Sequence, residues 1–176
     1  LEVDDICCTG NNDELLEQLR ISLGQKYGDM RTGTDISWEP LSSFLGIRII
    51  YDRVKRVLTM DVEQKIIDMF KSHPEIDKIP THWTPLPTKG SKPSTPSATV
   101  QRYVRVHYAS IVGAFIYIAI SCRPDLAHGV GILARHMHGP TATAVDNCIH
   151  LCGYLKNPAV QRMKLEYCVQ DNRVKA

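Results

Sequence analysis

Residues 44–60 read Phe44-Leu45-Gly46-Ile47-Arg48-Ile49-Ile50-Tyr51-Asp52-Arg53-Val54-Lys55-Arg56-Val57-Leu58-Thr59-Met60. Two runs rich in β-branched and aromatic side chains flank a polar Asp52-Arg53 step. That pattern predicts a strand from Phe44 to Tyr51, a turn at Asp52-Arg53, and a returning strand from Val54 to Met60. Asp61 then caps a helix in which Val62, Ile66, Ile67 and Phe70 share one face. The helix stops before Pro74. A hairpin leading directly into an amphipathic helix predicts an α+β fold.

Toward the N-terminus, Leu1–Thr9 is a short apolar run interrupted by Asp4 and Asp5. Strand formers on both sides of a turn-prone acid pair predict a hairpin with both carboxylates at its tip. Gly10-Asn11-Asn12 breaks it, and Asn12 or Asp13 can cap a helix. Leu15, Leu16, Leu19 and Leu23 recur at helical spacing, so 13–26 reads as amphipathic, ended by Gly28.

Toward the C-terminus, residues 79–100 hold Pro80, Pro85, Pro87, Pro93 and Pro96, half of the ten prolines. Such a composition predicts an extended linker over 79–104. It divides the chain into a mixed part (1–78) and a helical part (105–176). In the latter, Tyr108–Ser121 carries no charge and reads as a buried helix. Arg123-Pro124-Asp125 restarts a helix with Leu126, Val130, Leu133 and Met137 inward. Thr141 caps a third, with Val145, Cys148, Cys152 and Leu155 inward. Asn157-Pro158 ends it, and the alternation of Met163, Leu165, Tyr167 and Val169 predicts a final strand.

The 176 residues suffice for one ordinary domain or two small ones. Hydrophobic residues at 43% and charged residues at 23% fit a globular chain. The net charge of +2 conceals an asymmetry: residues 1–60 hold 7 basic and 10 acidic side chains, residues 101–176 hold 9 and 4. The basic end points to anionic partners, against ordinary surface solvation as the alternative. None of the six cysteines sits in a CxxC pair, which reads as reduced thiols of an intracellular protein, cytoplasm or nucleus not resolved. The charge-free stretch at 108–122 falls below the roughly 18–20 residues that span a bilayer, so no membrane partner is expected.

Two constellations could carry chemistry. Two carboxylates about 4 Å apart repel by roughly 4 kcal/mol at an effective dielectric of 20. Asp4 and Asp5 therefore call for a divalent metal or an exposed, solvated turn. Mg²⁺, held by one or two carboxylates plus substrate phosphates, is the functional reading. His136, His138, Cys148, His150 and Cys152 form a second cluster. Cys148 and Cys152 lie one helical turn apart and read either as zinc ligands or as core thiols with surface histidines. Gly-rich phosphate loops, GxSxG and HExxH are absent from the sequence.

The order of these features resembles the C-terminal part of the reverse transcriptase of Ty1/copia-type retrotransposon Pol polyproteins. The stretches that carry the resemblance begin with Val3-Asp4-Asp5, Ser43-Phe44-Leu45-Gly46-Ile47 and Thr84-Pro85. They continue with Ile111-Val112-Gly113-Ala114-Phe115-Ile116-Tyr117, Arg123-Pro124-Asp125-Leu126-Ala127 and Gly153-Tyr154-Leu155-Lys156. Lys26-Tyr27-Gly28 fits a subset of such elements.

The resemblance implies the end of the palm and the thumb in 1–78, and a helical connection toward an RNase H domain in 105–176. It implies templated DNA synthesis with Asp4 and Asp5 as catalytic carboxylates holding Mg²⁺. Phe44, Leu45 and Gly46 would position the primer end. The implied partners are an RNA or DNA template-primer, dNTP and the rest of the Pol polyprotein. Glu2 stands where the family has Tyr. The palm strand with the third catalytic Asp has no counterpart in these residues, so the chain alone is expected to be inactive as a polymerase. Two other readings compete: a non-catalytic nucleic-acid-binding remnant using the basic C-terminal part, and a small zinc-binding interaction module at His136–Cys152.

Overall fold

A computed structural model describes residues 6–10, 12–27, 41–88 and 96–168. The chain divides into two compact units, residues 1–45 and 46–176. In the first, α1 (Asp13–Tyr27) is followed by the two-residue strand β1 (Ser43–Phe44). Asn12 caps α1: its Oδ1 accepts from the backbone N–H groups of Glu14 and Leu15 at 3.0 and 3.2 Å. The helix forms where its leucine spacing predicts, yet Leu15 and Leu19 remain exposed. The Asp4-Asp5 hairpin and the Gly28 stop lie outside the described residues.

In the second unit, β2 (Ile47–Asp52), β3 (Val57–Asp61) and β4 (Leu165–Cys168) form an antiparallel sheet in that order. The β2–β3 turn is longer than the two residues expected. The Asp52 carboxylate accepts from the N–H groups of Val54 and Lys55 at 3.0 and 2.9 Å, which holds 53–56 in the turn. Arg56 closes it with φ at 53°, so β3 starts at Val57 rather than Val54.

Asp61 ends β3 buried. One of its oxygens accepts from the Glu63 N–H at 3.3 Å and the other from Arg48 Nε at 2.8 Å. Helix α2 (Glu63–Ser72) follows, with Ile66 and Met69 buried, and then a 3-10 turn at Pro74–Lys78. His73 ties this corner to what comes later. Its Nδ1 lies 3.1 Å from the Tyr103 hydroxyl and its Nε2 3.4 Å from the Ser110 hydroxyl.

The expected linker of 79–104 ends sooner than its composition suggests, because α3 (Ala98–Val106) occupies its last part. Prolines stop at Pro96, Ser97 caps the helix by accepting from the Val100 N–H, and Val100 and Val104 are buried one turn apart. Helices α3 and α4 (Tyr108–Ser121) meet at His107 with a bend of 73°. A 3-10 turn at Pro124–Leu126 opens α5 (Ala127–Ala134). Thr141 caps α6 (Ala142–Lys156) by accepting from the Ala144 N–H, and α7 (Pro158–Gln161) is a single turn before β4. A single apolar core runs from Val62 to Val160, with Phe115, Ile118, Leu133, Cys148 and Leu155 inside it. Among the described residues, no single helix is long and apolar enough to cross a membrane.

Candidate functional site

The stretch Arg123-Pro124-Asp125 is an anchor built on a buried arginine. Arg123 is only 2% exposed, so its guanidinium must be matched inside the protein. It donates to Asp125 through Nε (2.9 Å) and Nη2 (2.7 Å), a two-pronged match of planar fork to carboxylate. Its Nη1 donates to the Val160 carbonyl at 3.0 Å, and the Tyr154 hydroxyl donates to Asp125 Oδ2 at 2.9 Å. Burial alone would raise the Asp125 carboxyl, but the hydrogen bond and charge of Arg123, with Tyr154, hold it below its ordinary value. The Tyr154 phenol is pushed up, by burial first and then by its carboxylate partner. This cluster fastens the start of α5 to α6 and α7.

The Pro-rich segment is docked on the same helix. The His82 N–H donates to the Gly153 carbonyl at 2.9 Å, and Asn157 Nδ2 donates to the His82 carbonyl at 3.2 Å. Lys156 donates to the carbonyls of Asp77 and Ile79. The His82 and His150 rings stack with centroids 4.0 Å apart, and His150 Nε2 lies 3.0 Å from the Thr84 carbonyl. Gly153 makes the approach possible, since a Cβ there would run into the Pro80 carbonyl and the His82 ring. Thr84-Pro85 and Gly153-Tyr154-Leu155-Lys156 therefore come together as a docking joint.

Of the residues expected to act, Asp4 and Asp5 lie outside the described residues. Phe44 is half-buried at the end of β1, and Leu45 and Gly46 are exposed. Leu45 and Gly46 take positive φ values of 49° and 78°, as a tight turn requires. A Cβ on Gly46 would meet only the flexible end of the Lys65 side chain, so the positive φ is what favours glycine there.

The five-residue zinc constellation is not assembled. Cys148 and Cys152 are fully buried in the core, and their mutual hydrogen bond together with burial pushes the Cys148 thiol well up, away from the thiolate a metal needs. His150 is engaged with His82 and Thr84, and His138 is exposed. Among the described residues no three His, Cys, Asp or Glu side chains could hold a metal ion together.

The basic C-terminal part is less uniformly available than its count suggests. Arg123 is consumed by the anchor and Lys156 by the joint. Arg102 and Arg105 lie on the exposed side of α3, Arg105 donating to the Pro140 carbonyl at 3.1 Å, and with Gln101 and Asp146 they line a shallow groove of about 320 Å³. A sequence reading misses the Asp125–Tyr154 contact and the seat of His82 on Gly153. Both join positions far apart in the chain, and no local pattern encodes them.

No family model matches the chain and no solved structure matches it. Curated relatives do. The chain is 30% identical over 144 residues, 80% of its length, to a retrovirus-related Pol polyprotein from transposon TNT 1-94 of Nicotiana tabacum. It is 30% identical over 159 residues, 87% of its length, to the Pol polyprotein from transposon RE1 of Arabidopsis thaliana. An uncharacterized mitochondrial protein of Arabidopsis thaliana is 29% identical over 157 residues. The chain spans about a tenth of the length of those two Pol polyproteins and 60% of the mitochondrial protein. Similarity over four-fifths or more of its residues supports an origin of this chain in a retrotransposon Pol polyprotein.

Proposed function

We propose that the chain is the end of the palm, the thumb and the connection of a copia-type reverse transcriptase, and serves templated DNA synthesis as a part rather than as a complete catalyst. The observation that carries this reading is the similarity to transposon Pol polyproteins across 80% of the chain. The order of the motifs along that stretch supports the reverse-transcriptase region within it. On this reading Asp4 and Asp5 are the palm carboxylates that would hold Mg²⁺ against dNTP phosphates. Phe44, Leu45 and Gly46 lie against the primer end, and template-primer and the rest of the polyprotein are the partners. Two-metal phosphoryl transfer uses carboxylates from more than one strand. The chain by itself therefore gives no primer extension with Mg²⁺, and extension appears when it is joined to the fingers and palm of a transposon Pol polyprotein. Clear synthesis by the 176 residues alone would refute the supporting role. Failure of the joined protein, when the transposon's own segment succeeds in the same place, would refute the assignment.

A further inference from the structure

The sheet of the second unit carries an aromatic row that the anchor and the docking joint leave unused. The register pairs Tyr51 with Leu58 across β2–β3, and Leu58 with Tyr167 across β3–β4. All three side chains therefore stand on one face in a line perpendicular to the strands. Further along that face Ile47, Met60 and Leu165 pack on the core. At the Tyr51 end the cover is missing: Tyr51 is 52% and Tyr167 51% exposed. Neither hydroxyl is hydrogen-bonded among the described residues, so no polar contact explains the rings.

The same end of the sheet bears the β2–β3 turn, with Arg53, Lys55 and Arg56 exposed around it. The acid in this turn, Asp52, accepts from the turn's own N–H groups and lies 3.8 Å from Lys55. The edge is thus cationic beside two half-bare aromatic faces about 10 Å apart, two strand spacings. Aromatic faces for stacking next to cations that follow a backbone are the two elements of single-strand nucleic-acid recognition.

We propose that Tyr51 and Tyr167, flanking Leu58, form a stacking platform for the bases of a single-stranded nucleic acid whose phosphates lie against Arg53 and Lys55. The charge favours this occupant over an apolar protein segment, which would offer the exposed Arg53 no anion. The platform rests on the nucleic-acid reading above and adds a location and a strand type to it.

The test is fluorescence anisotropy of a labelled oligothymidylate titrated with the chain, beside an abasic strand of the same length and a primer-template duplex. Tyr51→Ala and Tyr167→Ala should each weaken oligothymidylate binding about 5-fold or more. Tyr51→Phe and Tyr167→Phe should bind as the unmodified chain does. The abasic strand should bind more weakly than oligothymidylate, and Arg53→Ala should lower the salt slope by about 0.7. If alanine lowers the melting temperature, leucine at the same positions keeps the bulk without the aromatic face and is read instead. Equal binding of abasic and base-bearing strands overturns the platform. So does a folded, non-aromatic variant that binds normally, or one that changes self-association and not oligonucleotide binding. In each case duplex binding, if present, leaves the proposed function standing. No binding of any of the three nucleic acids removes both.

Discussion

Arg123 shows how a motif residue can be indispensable without touching a ligand. A guanidinium at 2% exposure is tolerable only while Asp125 and the Val160 carbonyl surround it. Asp125→Ala leaves that charge unpaired, and we expect it to cost about 3–5 kcal/mol of stability in urea unfolding. Tyr154→Phe removes one hydrogen bond to a charged oxygen and should cost about 1.5 kcal/mol. The pH dependence has a definite sign. The carboxyl titrates lower in the folded protein than in the unfolded chain, because Arg123 and Tyr154 outweigh the burial that opposes them. Its contribution is therefore fully present above the ordinary carboxylate range and is lost as pH falls through the depressed folded value. Asp125→Asn should flatten that acid limb. An unchanged acid limb in that variant would place the sensitivity elsewhere.

At the scale of elements, α6 organises the second unit, holding the anchor on one side and the docked 79–86 segment on another. Gly153→Ala should push the segment off, costing about 1–3 kcal/mol. Protease cleavage between residues 80 and 97 should then become faster, with the core helices still protected. Acid should loosen the same joint. The His82 ring titrates below its ordinary 6.5 because of burial, and His150 does so through burial and then the charge of His82. The undocked segment binds protons more readily, so docking weakens as pH falls from about 6.5 through the lower folded values. Nearby, Lys156 pairs with Asp77 at 3.4 Å. His150→Phe preserves the stacked ring and should blunt the pH effect on hydrogen exchange at residues 80–84.

What was legible in the sequence follows from the same physics. Helix α4 falls at Tyr108–Ser121, α6 starts behind its Thr141 cap, and their apolar stripes face the core, because these signals are local. The segment at 79–86 read as linker, since proline density reports on composition and its hydrogen-bond partner at Gly153 lies far along the chain. Alternation announced β4, but only the register places Tyr167 beside Leu58 and Tyr51. Of the site itself, the strand expected from Phe44 to Tyr51 is broken at Leu45-Gly46, where positive φ values of 49° and 78° make a turn that the run of strand formers hid. The buried match of Arg123 to Tyr154 through Asp125 was not readable either.

Among the described residues, the core lies in one of the two units. Every buried apolar side chain of the core, from Val62 to Val160, belongs to residues 46–176, whereas α1 leaves Leu15, Leu19 and Ile21 exposed. Stability should therefore be a property of the second unit. A protein of residues 46–176 should unfold cooperatively in urea at the same midpoint as the full chain. Its slope should match as well, because the surface exposed in the cooperative transition belongs to the second unit. It should also keep whatever nucleic-acid affinity the Tyr51–Tyr167 row provides, since every residue of that row lies within it. If instead the midpoint falls by about 1 M or the transition broadens, the first unit contributes core that the exposed leucines of α1 do not reveal. The division at 45/46 would then separate two halves of one cooperative fold.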